Sequence, residues 1–425
     1  MAYLRQAGVK AAARSANREA VTYYEQALHV LPQLPERRDT HEQAIDLRCA
    51  LRHALDPLGE LGRVRDCLRE AQALAERLGD QARLGQVLAY LIDYCRLVSE
   101  YDRAVECGQR ALAIADGLGD LALRDQMQYR LGQVYYMLGD YQRALDLFGR
   151  NVAALESHLR TQRVGQSGLP VVFPSIWWVW CCAELGEFPA GIARGEEAVR
   201  MAEAADHPHS RIAAYHGMGR LYLRKGDIHQ AIFMLERGLE LSRVWNVLTR
   251  LYQMAADLGT AYALSGRVTE ALSLLEQTVQ QGTAIRAVYQ ALWVAGLGES
   301  YRLAGHLEEA MHWAGRALDY SREHRERGHQ AWALRLLAAI AAQRESPEVE
   351  QAEDYFRQAL TLAEELGMRP LVAHCHLGLG TLYRKLGRLE PARAGLSAAM
   401  ALYRTMDMTL WLPQAETALA QVEAQ

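Results

Sequence analysis

The feature that most constrains the fold of this 425-residue chain is an internal repeat with a period near 40 residues. Six segments align with one another, and each has a glycine, a polar residue, an aromatic or aliphatic residue, and a small residue three positions later. They are LGDYQRAL (138–145), ELGEFPAG (184–191), RKGDIHQA (224–231), LSGRVTEA (264–271), LAGHLEEA (303–310) and KLGRLEPA (385–392). Such periodicity indicates one structural unit stacked many times along the chain.

Using the small residue as an anchor defines ten repeat units. Most anchors are 37–42 residues apart, and two spacings are 47. The second and ninth units match the other columns least well, although their spacing holds. The anchors are Ala20, Cys67, Ala104, Ala144, Gly191, Ala231, Ala271, Ala310, Ala352 and Ala392.

The pattern resembles the tetratricopeptide repeat, a unit of two helices (A and B) joined by a turn. A glycine column lies twelve residues before the anchor, where two helices must approach closely. The glycine five residues before the anchor is expected to end helix A in a left-handed turn. The usual period of this repeat is 34 residues, so each helix is expected to be about one turn longer. These features predict an all-α, right-handed superhelical solenoid of about ten helix pairs with a C-terminal capping helix.

The sequence predicts a single solenoid over residues 1–425. Repeats 1–4 occupy 1–156, a long inserted loop occupies 157–175, repeats 5–10 occupy 176–406, and the capping helix occupies 407–425. A shorter insertion is expected at about 31–42. Long irregular loops in compact folds are uncommon and often functional, so the second insertion is of interest.

Composition narrows the possible partners and location. A net charge of -4 and a pI near 6.4 argue against nucleic acid as a partner. Seven scattered cysteines without a CxxC pair indicate reduced thiols in a cytoplasmic protein. The longest apolar stretch, 171–183, is interrupted by Pro174 and is too short for a membrane span. The sequence leaves the oligomeric state open.

Motifs for catalysis and cofactors were not found. The chain has no glycine–lysine pair and therefore no GxxxxGK[ST] phosphate loop, and GQSG (165–168) is one residue short of a GxSxG elbow. His374 and His376 lie two apart and would point in opposite directions on a helix, so they are not expected to share a metal ion. We therefore expect no catalytic residue, no metal and no cofactor.

The strongest candidates for ligand contact lie on the side of helix A that lines the concave groove in this repeat class. Trp177 and Trp180 are expected there as aromatic anchors. The alternative is that both pack beneath the preceding loop. The same register places further residues on the concave side, and a subset is expected to touch a ligand: Tyr129, Gln133, Tyr136, His216, Arg220, Glu299 and Arg302, with Arg52 and Asp93.

Longer strings resemble one bacterial family, which joins a class III adenylate/guanylate cyclase domain, a signal-transduction ATPase and a C-terminal tetratricopeptide array. They include YLRQAGVKAAARSANREA (3–20), AELGEFPAGIARGEEAVR (183–200) and AEELGMRPLVAHCHLGLGTLY (363–383). The resemblance covers only that family's array, and its cyclase and ATPase chemistry would lie in domains outside this chain. Because Met1 is the first residue of the first repeat, we expect an excised fragment or an orphan gene.

The resemblance and the repeat pattern together predict a non-catalytic scaffold or regulatory sensor. It would bind a protein or peptide segment in the concave groove, as the arm of a cyclase–ATPase signalling protein. One alternative is a sensor for a small molecule or peptide effector in the same groove. A second is an enzyme with an unrecognised pocket near the loop at 157–175.

Overall fold

The computed structural model describes residues 1–14, 16–161, 169–245, 247–284, 290–344 and 348–424. These residues form two compact units, Met1–Val134 (unit 1) and Tyr135–Gln425 (unit 2). Since the chain separates in this way, a single array over 1–425 stays a prediction, and each unit is described by itself.

The described residues form 21 α-helices and no strand, which confirms the predicted all-α class. In unit 1 the helices are α1 Ala2–Ala13, α2 Asn17–Val30, α3 Arg38–Leu55, α4 Leu61–Leu78, α5 Gln81–Leu97, α6 Tyr101–Leu118 and most of α7 Leu121–Leu138. Unit 2 contains the last turn of α7 and α8 Tyr141–Thr161, α9 Leu169–Leu185, α10 Phe188–Ala204, α11 Pro208–Lys225, α12 Ile228–Val244, α13 Leu248–Leu264, α14 Val268–Ala284, α15 Gln290–Ala304, α16 Leu307–Glu323, α17 Arg327–Ala341, α18 Val349–Glu365, α19 Arg369–Lys385, α20 Leu389–Thr405 and α21 Leu412–Glu423.

The helices pair as the repeat predicts, with α1/α2 as the first pair and α19/α20 as the tenth. Each anchor lies in the first half of a helix B, and nine of the ten are buried, Cys67 being half-buried. The glycines twelve residues before the anchors also lie at close contacts between helices. A Cβ at Gly219, for example, would lie 2.5 Å from the Leu235 side chain. Small residues at these crossings therefore let neighbouring helices pack closely.

Glycine ends helices where the repeat predicts, and aspartate caps the start of others. Gly226 and Gly266, each five residues before an anchor, have φ angles of +90° and +87°. Asp80 and Asp120 cap α5 and α7, because their carboxylates accept hydrogen bonds at 3.0 Å from the backbone N–H groups of Arg83 and Leu123.

The insertions are shorter than predicted. A 3₁₀ turn at Leu31–Gln33 precedes α3, which begins at Arg38. The loop predicted for 157–175 is wrong at both of its ends, because α8 continues to Thr161 and α9 begins at Leu169 with Pro174 inside it. The Ser175 hydroxyl donates to the Val171 carbonyl at 2.8 Å in this proline-containing turn. The middle of the predicted loop, 162–168, lies outside the described residues.

Within unit 2 the last repeats contact the first ones. Trp332 Nε1 of α17 donates to a Glu184 carboxylate oxygen of α9 at 2.9 Å, across 148 residues of sequence. Lys225 Nζ at the end of α11 pairs with the Asp407 carboxylate at 2.8 Å. Unit 2 therefore closes on itself, and the inner faces of α9, α11, α13, α15, α17 and α19 surround a common interior.

Candidate functional site

The interior of unit 2 contains two adjoining cavities. The larger one, which we call the central cavity, has a volume of about 510 Å³, and the smaller inner pocket has about 110 Å³. Both are lined by residues from α13, α15, α17, α19 and the segment before α21, namely Leu264, Glu299, Arg335, His374 and Trp411. Leu303, Gln343, Lys385 and Leu410 line the central cavity and are exposed. The central cavity is therefore open to solvent at this rim.

Charged side chains lie inside the central cavity. The Arg302 guanidinium makes two hydrogen bonds to the Glu299 carboxylate, at 2.9 and 3.0 Å, and Arg335 approaches the same carboxylate at 3.4 Å. Burial raises the pKa of Glu299, but Arg302 and Arg335 outweigh that effect and hold the pKa at about 2. Glu299 is therefore ionised at neutral pH.

His374 lies in a cluster of aromatic side chains between the two cavities. Its Nδ1 forms a 2.8 Å hydrogen bond with the Tyr403 hydroxyl, and its ring lies edge-on to Trp411 with centroids 4.5 Å apart. Burial, with the nearby charges of Arg335 and Arg224, lowers the pKa of His374 to about 3. The imidazole is therefore neutral, and His374 and Trp411 form part of the wall of both cavities.

A second buried charge cluster borders the inner pocket through Asp257. The Asp257 carboxylate accepts hydrogen bonds from His216 Nε2 at 2.9 Å and Arg220 Nε at 3.0 Å. Burial raises the pKa of Asp257, but Arg220 and His216 hold it at about 2. Arg220 also stacks on Trp180, 4.3 Å from the ring centroid. The contacts hold α9, α11 and α13 together at the cavity wall.

Glu184 forms a third cluster at the closure of unit 2. It is 2% exposed and accepts hydrogen bonds from Arg224 Nε at 3.0 Å and Trp332 Nε1 at 2.9 Å. Arg224 in turn stacks on the Trp332 ring at 4.0 Å. Both donors line the inner pocket, so the closure of unit 2 and the wall of this pocket depend on the same side chains.

The prediction that Trp177 and Trp180 are exposed groove anchors is wrong. They are 4% and 1% exposed, and they pack on each other with ring centroids 4.9 Å apart. Trp177 also contacts Tyr136 and Phe148, with ring centroids 5.2 and 6.1 Å apart. The alternative, packing beneath the preceding loop, falls on 162–168 and therefore outside the described residues. The inner faces of consecutive A helices converge here, and large side chains fill the space between them.

The other predicted site residues fall into different environments. Tyr136, His216 and Arg220 are buried in unit 2, whereas Glu299 and Arg302 line the central cavity. Gln133 is buried and Tyr129 half-buried on the part of α7 in unit 1. Arg52 and Asp93, also in unit 1, belong to a ladder of ion pairs between A helices; the closest approach between the two is 3.8 Å. Their ligand-binding roles stay predictions.

Sequence reasoning missed several cavity residues. Asp257 lies fourteen residues before its anchor, in the same column as Trp177, and could have been found from that column. His374 lies eighteen before its anchor, one helical turn beyond the columns considered. Arg335 and Trp332 belong to the ninth unit, where the repeat pattern is weakest. Among the described residues, no group of three or more His, Cys, Asp or Glu side chains is placed to hold a metal ion.

Comparisons with known proteins identify the class of this fold. Residues 83–157 and 329–405 match one tetratricopeptide repeat model, and residues 212–244 match a second. The chain thus contains tetratricopeptide repeats, and the predicted solenoid class is confirmed. No curated protein sequence matches the chain significantly. Within the described ranges, no helix is long and apolar enough to cross a membrane.

Several solved structures share the fold. A Rap protein complexed with competence and sporulation factor is similar with a TM-score of 0.63 and 13% identity, over 86% of this chain and 98% of that one. NprR in complex with its cognate peptide NprX has a TM-score of 0.56 and 12% identity, over 85% and 98%. Aspartyl phosphate phosphatase F from Bacillus subtilis has a TM-score of 0.52 and 14% identity, over 84% and 91%. At these identities the similarity concerns the fold alone.

Proposed function

We propose that the chain is a non-catalytic sensor whose central cavity binds an effector, either a small molecule or a short peptide segment. The observation that carries the proposal is the solvent-open cavity of about 510 Å³ within unit 2, whose wall combines apolar side chains with polar and charged ones. Pockets of this size are typical of small-ligand sites. The structure of NprR with a cognate peptide is consistent with this use of the fold.

The size of the cavity favours an effector over a folded protein partner. Unit 2 closes on itself through Trp332 and Glu184, so a globular domain cannot enter the interior. A protein partner could insert only an extended segment. Within a longer regulator of the cyclase–ATPase type, effector binding in this interior would be the input signal, because the ligand would contact α13, α15, α17, α19 and the segment before α21 together.

The cavity chemistry supports a binding role rather than catalysis. A general acid or base at neutral pH needs a pKa near 7. The neighbouring charges hold Glu299 and Asp257 at pKa values of about 2, and burial holds His374 at about 3. Each group is therefore fixed in one protonation state, which suits positioning a ligand better than transferring protons.

The test is uptake of a neutral fluorescent probe, N-phenyl-1-naphthylamine, measured by its emission on titration with the protein. Ala339 lines the central cavity, so Ala339→Phe fills part of it and is expected to abolish uptake. Ala394 is exposed on α20 and provides the matched control Ala394→Phe, which is expected to bind the probe as the wild type does.

Absence of uptake by the wild type would refute the proposal. Equal uptake by the Ala339→Phe and Ala394→Phe variants would also refute it, because the probe would then bind elsewhere. Circular dichroism of both variants shows whether the helical fold is retained.

A further inference from the structure

The central cavity contains more positive than negative charge. Among the described residues, its lining includes Arg302, Arg335 and Lys385 but a single carboxylate, that of Glu299. His374 in the same wall is neutral for the reasons given above. The described charged side chains of the lining therefore leave an excess of two positive charges facing the cavity.

The three cations differ in how far their hydrogen bonds are already used. Arg302 is largely satisfied, since it bonds twice to Glu299 and once, at 2.9 Å, to the Gln343 side-chain oxygen. Arg335 makes one long contact of 3.4 Å to Glu299, and its Nε is buried without a hydrogen-bond partner in the described part of the chain. This unused capacity makes Arg335 the strongest candidate for binding a ligand.

Lys385 provides a second available cation at the rim. Its ammonium group donates to the Ala342 carbonyl at 3.1 Å, and an ammonium has three N–H donors. The side chain is exposed and lines the central cavity, so it can turn toward a bound group. A guanidinium N–H group buried without an acceptor, as at Arg335 Nε, is costly, and an anion that accepts from the guanidinium offsets part of that cost.

Apolar side chains form another part of the wall. Leu264, Ala339, Phe356, Leu377 and Leu382 line the same cavity, together with the Trp411 ring. Burial of an apolar group against these side chains is favourable by itself. The cavity therefore combines an apolar wall with two cations that have donors to spare.

We propose that the ligand of the central cavity is an amphipathic anion, in which a carboxylate or phosphate group binds Arg335 and Lys385 and an apolar body packs against the wall. This inference rests on the proposed function and specifies the chemical class of its effector. It assigns recognition to Arg335 and Lys385, whereas Arg302 and Glu299 hold the cavity wall in place.

The test compares two probes with the same aromatic skeleton, 1-anilinonaphthalene-8-sulfonate and the neutral N-phenyl-1-naphthylamine. The wild type is expected to bind the sulfonate about tenfold or more tightly than the neutral probe, because charge-assisted hydrogen bonds to a desolvated anion are strong. Arg335→Gln and Lys385→Gln are each expected to remove most of this preference. The neutral probe is measured with both variants as well, and its affinity is expected to change far less than that of the sulfonate, which separates loss of the charge from loss of the cavity.

Arg393→Gln is the matched control, because Arg393 is an exposed arginine of α20 that does not line either cavity. It is expected to bind both probes as the wild type does. Equal affinity for the two probes, or an unchanged preference in both cavity variants, would overturn the anion inference and leave the proposed function standing. Failure of the wild type to bind the neutral probe would refute the proposed function, and the inference with it.

Competition then distinguishes the possible sources of the anion. The competitors are inorganic phosphate, an acetylated tripeptide Leu-Phe-Leu with a free carboxylate, and the same tripeptide as an amide. Displacement of the sulfonate by the free acid but not by the amide supports a peptide carboxylate. Displacement by phosphate alone supports a phosphorylated small molecule. Equal displacement by the acid and the amide would contradict recognition of the anionic group.

Discussion

Gly226 and Gly266 occupy the same position in two consecutive repeats of unit 2, and they offer a test of its closure. Both end a helix A with a positive φ angle. A Cβ added at Gly226 would lie 2.6 Å from the Trp411 ring and 3.0 Å from Leu410 Cβ, whereas a Cβ at Gly266 would meet nothing within 4 Å. Substitution by alanine therefore adds a steric conflict at Gly226 that is absent at Gly266.

Both substitutions place alanine in a left-handed backbone conformation, but only Gly226→Ala also crowds a packed contact. Placing alanine in a left-handed turn costs ~1–2 kcal/mol at either site. Crowding at a packed contact adds ~1–3 kcal/mol. Leu410 Cβ is attached directly to the backbone, so the crowding at Gly226 cannot be relieved by side-chain rotation alone. We expect Gly226→Ala to be less stable than Gly266→Ala by ~1–3 kcal/mol.

The free energy of unfolding of the wild type and both variants is measured with urea, followed by far-ultraviolet circular dichroism. Because Trp411 lines the central cavity, Gly226→Ala is also expected to weaken uptake of the neutral probe, while Gly266→Ala leaves it unchanged. Equal losses of stability, with unchanged probe uptake in both variants, would refute the closure of unit 2 between α11 and the segment before α21.

Three further outcomes follow from the buried groups. Trp332→Phe removes a hydrogen bond to the buried Glu184 carboxylate, and we expect urea titration to show a loss of ~1–3 kcal/mol; an unchanged midpoint would contradict that bond. Burial lowers the pKa of His216 from 6.5 to about 4, although the hydrogen bond to Asp257 opposes this shift. As the pH is lowered, the unfolded chain therefore takes up this proton before the folded chain does, and the free energy of unfolding decreases from pH 6.5 to pH 4. This contribution is ~1.4 kcal/mol per pH unit. The free energy of unfolding of His216→Asn, measured across that range, should therefore depend less steeply on pH than that of the wild type. Equal slopes would exclude His216 as the source. Burial raises the pKa of Cys375 to about 12, so a thiol reagent should label it in urea but not in the native state, and rapid native labelling followed by peptide mapping would disprove its burial.

The anchor positions, glycine turns and helix caps could be predicted because each depends on residues within one repeat. The anchor Ala231 packs where the period places it, Gly226 turns the chain, and Asp80 caps the next helix. Even the second and ninth units form regular helix pairs, because spacing sets helix length and register when single column residues deviate. The predicted loop at 157–175 is too long because the extra residues in this spacing partly extend α8 and α9, and Pro174 lies inside α9.

The candidate site was predicted only in part. Glu299 and Arg302 line the central cavity as the register suggests, but Trp177 and Trp180 are buried. A column in a repeat tells which side of a helix a residue occupies, and the concave side was assumed to be open. Whether that side is solvent, cavity or core depends on how tightly consecutive repeats curve, which is a property of many contacts together.

The sequence alone therefore determined the repeat, the helix pairs, their turns and the set of residues on the inner face, since these depend on contacts within a repeat or between neighbours. Only the tertiary structure decided that Trp332 reaches Glu184 across 148 residues and that Arg335 and Lys385 line one cavity. The physical reason is that small rotations between neighbouring repeats accumulate along the array. Their sum decides whether distant inner faces meet, and no single repeat encodes that sum.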